Sequence, residues 1–214
     1  RESIDYETSF QVTNWMAVQG GANYARESDQ SSHIQGKSFD SKGARAKIEL
    51  DILNSIDLFV GGRLDKHERF KAHPTGQTGI SWTIYEETIL EASVGTGFKA
   101  PSIQTFVGSG SLQRPNTTAR PEKSFLWDVS LKQLFFKKKM SLQVSYFVNE
   151  IKDLLVWNAP TKSTINKNRR SVKGFETSLK YTFNPRWCAG GTFTSLRVFD
   201  RQPAKRALNI PFYK

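Results

Sequence analysis

The sequence is poor in cysteine and has no long apolar run. Its one cysteine, Cys188, excludes an internal disulfide and any zinc site built from several cysteines. No run of 18 apolar residues occurs, so we expect no transmembrane helix. The first residues lack the apolar core of a signal peptide. Both ends resemble interrupted strands, and we therefore expect the chain to be a fragment.

Acidic residues are also in the minority. The chain has 31 Lys and Arg against 20 Asp and Glu, a formal charge of +11. Such an excess attracts nucleic acid, anionic lipid or acidic ligands, or it keeps a surface solvated. Hydrophobic residues make up only 37% of the chain although aromatic residues make up 12%. Many rings with little aliphatic bulk indicate half-buried strands.

Apolar and polar residues alternate with period two along most of the chain, and no window shows a clear helical stripe. In the segment 44–50, Ala44 and Ile48 fall on one face of a strand, and Arg45 and Lys47 fall on the other. The pattern predicts an all-β, antiparallel fold of about eleven strands.

The predicted connections alternate between tight and long. Tight turns are predicted at 53–55, 85–87, 137–139 and 184–186, and long polar loops at 28–38, 67–76, 100–122, 158–169 and 200–206. A transmembrane β-barrel has short turns on its periplasmic side and longer loops outside. Strands of about ten residues with aromatic ends also match a membrane span. The candidates for an interfacial aromatic girdle are Trp15, Trp82, Trp127, Trp157 and Trp187.

The stretch SVGTGFKAPS, residues 93–102, satisfies the glycine pattern of a dinucleotide-binding loop. That function needs a helix that opens directly after the glycines. We predict no such helix, because Pro101 would fall inside its first turns and the glycines of 108–110 follow closely. We predict instead that Gly95 and Gly97 lie on the polar face of a strand, which Pro101 ends.

Four motifs in order resemble the barrel of TonB-dependent outer-membrane receptors, especially the cobalamin and siderophore transporters. They are GTGFKAPS, ARPEKS at 119–124, SYFVNEIKDLL at 145–155 and SVKGFETSLKYTF at 171–183. In that family the first motif ends a strand that enters an extracellular loop, and the second leads back into the next strand. The matching residues here are Gly95, Gly97, Lys99, Ala100, Pro101, Pro121, Glu122, Asn149, Gly174 and Glu176.

The resemblance implies that residues 1–214 are one partial β-barrel domain of a multi-pass protein in the outer membrane of a Gram-negative bacterium. Plugged transporter barrels have about 22 strands, so the plug and the rest of the barrel would lie outside this chain. The implied function is uptake of a chelated nutrient, such as a ferric siderophore, haem or a corrinoid. The implied partners are outer-membrane lipid and lipopolysaccharide, the plug, TonB through the plug, and the small chelate, with no nucleic acid.

Basic and histidine side chains supply the candidate binding residues. Those predicted to face the lumen, where they would contact the plug or guide an anionic ligand, are Arg45, Lys47, Arg63, Lys99, Lys132 and Lys180. Those predicted to capture ligand from extracellular loops are His67, His73, Arg114, Arg120 and Lys162. Loop cations are also candidates for lipopolysaccharide phosphates, namely Lys37, Lys71, Arg114, Arg120, Lys162, Lys167, Arg169 and Arg170.

We find no catalytic constellation and predict a protein that is not an enzyme and has no cofactor or metal site. Asp65, His67, Glu68 and His73 could gather a metal only through loop geometry that their spacing does not fix. Two other function classes stay open. One is a passive barrel component of an envelope complex. The other is a soluble basic β-protein that binds nucleic acid or polyanionic glycans, which would cluster its rings on a basic surface, whereas here the rings alternate away from the charges.

Overall fold

A computed structural model describes residues 2–28, 38–200 and 205–206. These residues form eleven strands in a single sheet, whose order follows the chain from β1 to β11, and all neighbours are antiparallel. The elements are β1 (Glu2–Thr13), β2 (Met16–Ser28), β3 (Ser38–Ile52), β4 (Ile56–His67), β5 (Phe70–Tyr85), β6 (Thr88–Lys99), α1 (Ile103–Val107), β7 (Glu122–Phe135), β8 (Met140–Asn158), β9 (Ser163–Asn184), β10 (Trp187–Asp200) and β11 (Lys205–Arg206). The predicted fold class is confirmed.

The strand register keeps two chemically different faces apart across the whole sheet. Ile48 pairs with Val18 and Val60, so apolar positions meet on one side, which is termed the ring-bearing face. Lys47 pairs with Gln19 and Gly61 on the opposite side, which is termed the polar face. Because side chains alternate along a strand, this register gathers most apolar positions on one side, although some, such as Phe59 and Phe147, lie on the polar face.

The ring-bearing face is exposed in spite of its apolar character. Phe10 is 64% exposed, Trp82 43% and Phe193 58%, and no large side chain of the described residues is fully buried. Soluble monomers rarely leave so extensive an apolar surface in water. The sheet therefore requires an apolar medium or a partner against this face. Among the described residues, no helix is long and apolar enough to cross a bilayer.

Connections at one end of the sheet, termed the tight-turn end, are all short. They lie at 14–15, 53–55, 86–87, 136–139 and 185–186. Left-handed backbone at Leu53 and Asn54, with φ of 57° and 55°, helps reverse the chain between β3 and β4. The four predicted tight turns are confirmed.

The opposite end, termed the loop end, is less elaborate than predicted. Residues 68–69 join β4 to β5, and residues 159–162 join β8 to β9, so the predicted long loops at 67–76 and 158–169 are wrong. Their polar residues continue the strands, because pairs such as Trp157↔Thr164 extend the ladder. The predicted loop at 28–38 lies mostly outside the described residues, as do 201–204 of the loop predicted at 200–206, whereas 205–206 form β11.

The connection 100–121 is long, as predicted, but it contains a helix that the prediction excluded. The single-turn helix α1 begins after Ser102, its N-cap residue, and ends at Gly108, whose φ is 76°. Pro101 precedes the N-cap, so its missing N–H costs the helix no hydrogen bond. Since β7 then pairs antiparallel with β6, the parallel crossover unit of a dinucleotide-binding fold is absent from this segment.

The tryptophans lie at different heights on the sheet. Trp15, Trp82 and Trp187 lie at or near the tight-turn end, and Trp157 lies near the loop end. Trp127 lies inside β7, beside Val94 and Val148 on the neighbouring strands. Its position departs from the predicted place at a strand end.

Candidate functional site

The polar face of the first strands is held by ion pairs that reach across the sheet. Arg45 on β3 extends over β2 to β1, where its Nη2 lies 2.8 Å from both Asp5 Oδ1 and Glu7 Oε2. The side chain passes Gly21, where a Cβ would lie 3.0 Å from Arg45 Nε. The absence of a side chain at Gly21 therefore makes room for this two-strand contact.

A second cation of this face is held in the same way. The Arg63 guanidinium bonds to Asp65 at 2.6 Å and to the Asn23 side-chain oxygen at 2.8 Å. Lys47 pairs with Glu49, and its ammonium group lies 5.0 Å from the centre of the Phe59 ring. The carboxylates that neutralise these cations belong to the sheet itself.

The register places all six cations predicted for the lumen on the polar face. Arg45, Lys47 and Arg63 have the partners just described, and Lys99 lies 3.9 Å from Glu122. Lys132 and Lys180 have no Asp or Glu oxygen within 4.0 Å in the described part of the chain. Only these last two are thus free of acidic partners.

Carboxylates farther along the polar face are satisfied by neutral groups. Glu91 Oε2 accepts hydrogen bonds from Ser130 Oγ at 2.9 Å and from Gln143 Nε2 at 3.4 Å. Glu176, in the GFET motif, accepts from Thr194 Oγ1 at 3.4 Å. In the described residues, neither carboxylate has a cationic nitrogen within 4.0 Å. No described cation therefore pairs with either carboxylate, and a basic partner can approach them.

The connection 100–121 is fastened to the β8–β9 hairpin at the loop end. The Arg114 N–H donates to the Lys162 carbonyl at 2.6 Å, and Asn116 Nδ2 donates to the Thr164 carbonyl at 2.9 Å. Arg120 Nη2 lies 2.7 Å from Asp153 Oδ1. Three of the predicted ligand-capture residues, Arg114, Arg120 and Lys162, are therefore parts of one braced surface unit.

An apolar cluster supports α1 from beneath. Phe39, Ile103, Phe106 and Ala119 are buried together at the loop end, with Phe70 packed against them. The Arg69 guanidinium lies over the rings of both Phe39 and Phe106, at 5.6 and 5.1 Å from their centres. A cation above two rings adds electrostatic attraction to the packing.

The two predicted ligand histidines lie in strands rather than loops, which corrects that prediction. His67 is only 8% exposed, and its ring lies 5.8 Å from Phe39 and 5.1 Å from Phe70. His73 stacks on Phe98 with ring centres 4.8 Å apart. The polar composition of both segments predicts a loop, but their backbone belongs to β4 and β5.

The four residues considered for a metal are engaged elsewhere. Asp65 binds Arg63, and Glu68 Oε2 accepts the Asp40 N–H at 3.2 Å, while His67 and His73 make the ring contacts above. In the described residues no group of three His, Cys, Asp or Glu side chains is arranged to hold a metal ion.

A cavity of about 560 Å³ opens near the loop end and collects several predicted residues. Its lining includes Arg63, His67, Thr75, Gly97 and Lys99. Ala100 and Pro101 of the first motif complete one side, whereas Arg114, Arg120 and Lys162 do not line it. Phe39, Phe98 and Asn23 also line the cavity, and the sequence did not identify them as site residues. The feature that could have indicated the two rings is their position at strand ends beside polar segments.

The cavity lies where the sheet is incomplete. The ladder between β5 and β6 ends at Gln77↔Gly95, although both strands continue toward the loop end. Beyond this pair, the Gly76 N–H donates to Thr96 Oγ1 at 3.0 Å, and Pro74 has no N–H to donate. The stacked rings of His73 and Phe98 bridge the seam, so side chains replace backbone pairing there.

The other motif residues have structural roles. Glu122 Oε1 accepts the Leu155 N–H at 2.7 Å, which joins the start of β7 to β8. A Cβ at Gly174 would lie 2.7 Å from Leu196 Cδ2, and one at Gly97 would lie 2.8 Å from Ser124 Oγ. These glycines therefore make room for neighbours in the sheet. Pro121 is buried, and Asn149 Oδ1 is buried without a hydrogen-bond partner among the described residues.

An antiparallel sheet with an exposed ring-bearing face, a charged opposite face and tight turns at one end has the pattern of a wall segment of a transmembrane β-barrel. Residues 2–212 match the family model described as "TonB dependent receptor-like, beta-barrel". The match spans nearly the whole chain, and the chain belongs to this family. The resemblance found in the sequence is confirmed at this level, and the cobalamin branch stays a prediction.

Solved structures with similar folds include receptors and transporters. The siderophore receptor PirA from Pseudomonas aeruginosa is 18% identical, with 91% of this chain and 42% of that chain covered and a TM-score of 0.74. The FrpB iron transporter from Neisseria meningitidis is 15% identical, with 94% and 37% covered and a TM-score of 0.69. The copper transporter OprC is 15% identical, with 94% and 39% covered and a TM-score of 0.73. These likenesses show the fold, and the chain spans roughly two fifths of the length of each of these proteins.

Proposed function

We propose that this chain is part of the wall of a TonB-dependent transporter in the outer membrane of a Gram-negative bacterium. The observation that carries the proposal is the sheet with two unlike faces, because an apolar face this exposed suits hydrocarbon tails and a charged face suits a filled lumen. The soluble polyanion-binding alternative needs its rings spread over a basic surface. Here most rings lie on the face opposite the ion pairs, and the cations of the ring-bearing face, such as Lys123 and Lys152, lie toward the loop end.

The transported nutrient is proposed to be a chelated metal. The similar structures are described as a siderophore receptor, an iron transporter and a copper transporter, which supports a metal complex more directly than haem or a corrinoid. The cavity beside Lys99, Arg63 and His67 is the proposed capture site. Its rings suit a ligand that is flat in part. Asp65 already neutralises Arg63, so the exposed ammonium group of Lys99 is the cation proposed to meet a negative charge.

The plug is proposed to dock on the polar face through charges that the wall does not neutralise itself. Lys132 and Lys180 would meet acidic plug residues, and Glu91 and Glu176 would meet basic ones. TonB would act on the plug and would not touch this chain. The wall then does no chemistry, which agrees with the absence of a catalytic constellation in the sequence.

Labelling of intact cells tests the topology. In the full-length receptor with Cys188→Ser, a membrane-impermeant maleimide should react with Lys162→Cys at the loop end. It should not react with Asn54→Cys at the tight-turn end until the outer membrane is opened. Labelling of Asn54→Cys on intact cells would show that the tight-turn end faces outward, and it would contradict the proposal.

Binding of an anionic ferric siderophore tests the capture site. Lys99→Gln should raise the dissociation constant about three- to tenfold, the effect of losing one partly solvated charge contact. Lys138→Gln, which removes the same charge in the turn at the other end, should leave it unchanged. Equal effects of the two substitutions would assign the change to net charge and remove Lys99 from the site. A receptor that binds but does not transport would instead support the passive-barrel alternative.

A further inference from the structure

The seam between β5 and β6 is a break inside an otherwise continuous sheet. It consists of residues 73–76 of β5 and 96–99 of β6, which lie beyond the last pair of their ladder. On the other side of each strand the pairing continues, to β4 through Thr75 and to β7 through Gly97. The break is therefore confined to one junction, and neither strand is frayed.

Pro74 prevents this ladder from continuing. Alternate residues of an antiparallel strand direct their backbone groups toward the same neighbour. The N–H and carbonyl groups of Gly76 both face β6, where they contact Thr96 Oγ1. Pro74, two residues along, faces the same way and has no N–H to donate to Phe98, the residue that a continued register would place opposite it. A proline thus ends backbone pairing here, as prolines in sheets do at edges and bulges.

The Thr96 hydroxyl replaces the backbone pairing that is lost at Gly76. Its Oγ1 accepts the Gly76 N–H at 3.0 Å and donates to the Gly76 carbonyl at 3.4 Å. A hydroxyl can do both because it carries one donor and two acceptor sites. Backbone groups away from water are costly when they have no partner. The hydroxyl therefore satisfies Gly76 while the backbones of the two strands stay unpaired.

The capture cavity has lining residues on both sides of the seam. Thr75 lines it from β5, and Gly97, Phe98 and Lys99 line it from β6. Paired strands lie about 4.8 Å apart, and strands without backbone pairing are not held at that spacing. In the outer part of the seam the stacked rings of His73 and Phe98 connect the strands instead. The size of the cavity therefore depends on how far the ladder between β5 and β6 extends.

We infer that Pro74 and Thr96 determine the size of the chelate that the capture cavity admits. Both are positioning residues, because neither lines this cavity. Pro74 stops β6 from pairing with β5, and the Thr96 hydroxyl fixes the strands in the unpaired arrangement. The inference rests on the proposed function, since it concerns the same capture site. Ligand sites measure about 300–1,000 Å³, so a cavity of about 560 Å³ would exclude large chelates before small ones if the seam closed.

Pro74→Ala in the full-length receptor tests whether the proline keeps the seam open. The substitution supplies the missing N–H, so the ladder should extend to Phe98. The new amide at position 74 should then exchange with deuterium about tenfold more slowly than an unprotected amide. Exchange at the unprotected rate would show that the proline is not what keeps the strands apart, and it would overturn the inference.

Two iron complexes of the same charge measure the size preference by quenching of protein fluorescence. The large probe is a ferric tris-catecholate siderophore, and the small probe is ferric ion with three free catechol molecules, titrated in excess catechol. Pro74→Ala should raise the dissociation constant of the large probe about tenfold and that of the small probe less than about twofold. The same substitution in a tight turn, Pro185→Ala, should change neither. Equal effects of Pro74→Ala on the two probes, or a size-dependent effect of Pro185→Ala, would contradict the inference.

Thr96→Val tests the second residue, because it keeps the shape of the side chain and removes the hydroxyl. Exchange of the Gly76 amide should become about tenfold faster, and the dissociation constant of the large probe should rise about fivefold. Thr96→Ser, which keeps the hydroxyl, should restore both values. The matched control is Thr78→Val, which removes a hydroxyl that donates to the Phe59 carbonyl at 2.8 Å, and it should alter neither value. Unchanged binding in Thr96→Val would overturn the role of Thr96.

Failure of the inference and failure of the proposed function give different results. A wild type that binds neither probe would contradict capture of a ferric chelate in this cavity, and the inference would fall with it. A wild type that binds both probes, together with a Pro74→Ala variant that binds them equally well, would overturn the inference alone and leave the proposed function standing.

Discussion

The side-chain amide of Asn166 is joined to the main chain of Arg120 by two hydrogen bonds. Asn166 Oδ1 accepts the Arg120 N–H at 2.8 Å, and Asn166 Nδ2 donates to the Arg120 carbonyl at 2.8 Å. The same Nδ2 also donates to the Asp153 carbonyl at 2.7 Å. One side chain on β9 thus reproduces the pairing of a neighbouring strand and fixes the end of the 100–121 connection.

Replacement of this amide should loosen the 100–121 connection. Asn166→Ala leaves the Arg120 N–H and carbonyl without these partners, a loss of about 1–3 kcal/mol in docking free energy. Chymotrypsin cleavage of the folded receptor after Phe106, a buried residue of this connection, should therefore become about tenfold faster, because cleavage follows the population of the open segment. In the control Asn158→Ala, whose amide bonds to Thr161 inside its own turn, cleavage should stay slow. Equal rates for the two variants would show that Asn166 does not hold the segment.

Two adjacent glycines in β2 should differ sharply in their tolerance of a methyl group. A Cβ at Gly21 would lie 2.7 Å from the Tyr6 carbonyl oxygen and 3.0 Å from Arg45 Nε, whereas a Cβ at Gly20 would meet nothing within 4 Å. Gly21→Ala should lower the free energy of unfolding in lipid vesicles by about 1–3 kcal/mol through strain. Gly20→Ala should change it by less than about 0.5 kcal/mol. Urea titration followed by gel mobility measures both, and equal destabilisation would refute the crossing of Arg45 over Gly21.

The assignment of the two faces can be tested with a single charge on neighbouring residues of β8. Val144 pairs with Leu131 and Thr177 on the ring-bearing face, and Gln143 pairs with Lys132 and Ser178 on the polar face. Val144→Arg should cost about 2–4 kcal/mol of folding free energy in vesicles, because it buries a charge in hydrocarbon. Gln143→Arg should cost much less. If Gln143→Arg is the more harmful change, the faces have been assigned in reverse.

Arg69 should hold α1 in place through the two rings beneath it. Arg69→Ala removes both ring contacts, each worth about 0.5–1 kcal/mol at an exposed site. Amide exchange at Gly108, whose N–H bonds to the Gln104 carbonyl at 2.9 Å, should accelerate several-fold. Arg69→Lys should preserve part of the protection, and Lys71→Ala should preserve all of it. Unchanged exchange in Arg69→Ala would mean that packing of Phe106 alone fixes the helix.

Much of the architecture was predictable because its signals are local. Alternation in the segment 44–50 established the opposite faces of Ile48 and Lys47, and turn residues such as Leu53 and Asn54 marked the tight-turn end. The four motifs identified the family, which the match over residues 2–212 confirms. The loop end was predicted less well. Polar stretches around His67 and Lys162 suggested long loops, yet strands that extend beyond the apolar band are polar and still pair through their backbones.

The sequence by itself determined that this protein is an antiparallel sheet with one apolar face, because side-chain direction in a strand depends only on whether a residue is odd or even along the chain. Only the tertiary structure decided which charges meet. Arg45 reaches Asp5 and Glu7 across an intervening strand, and Lys152 lies between Lys123 and Arg169, because the register brings together residues that are far apart in the chain. Pairing across a sheet is a long-range property, and period-two alternation carries no information about the partner.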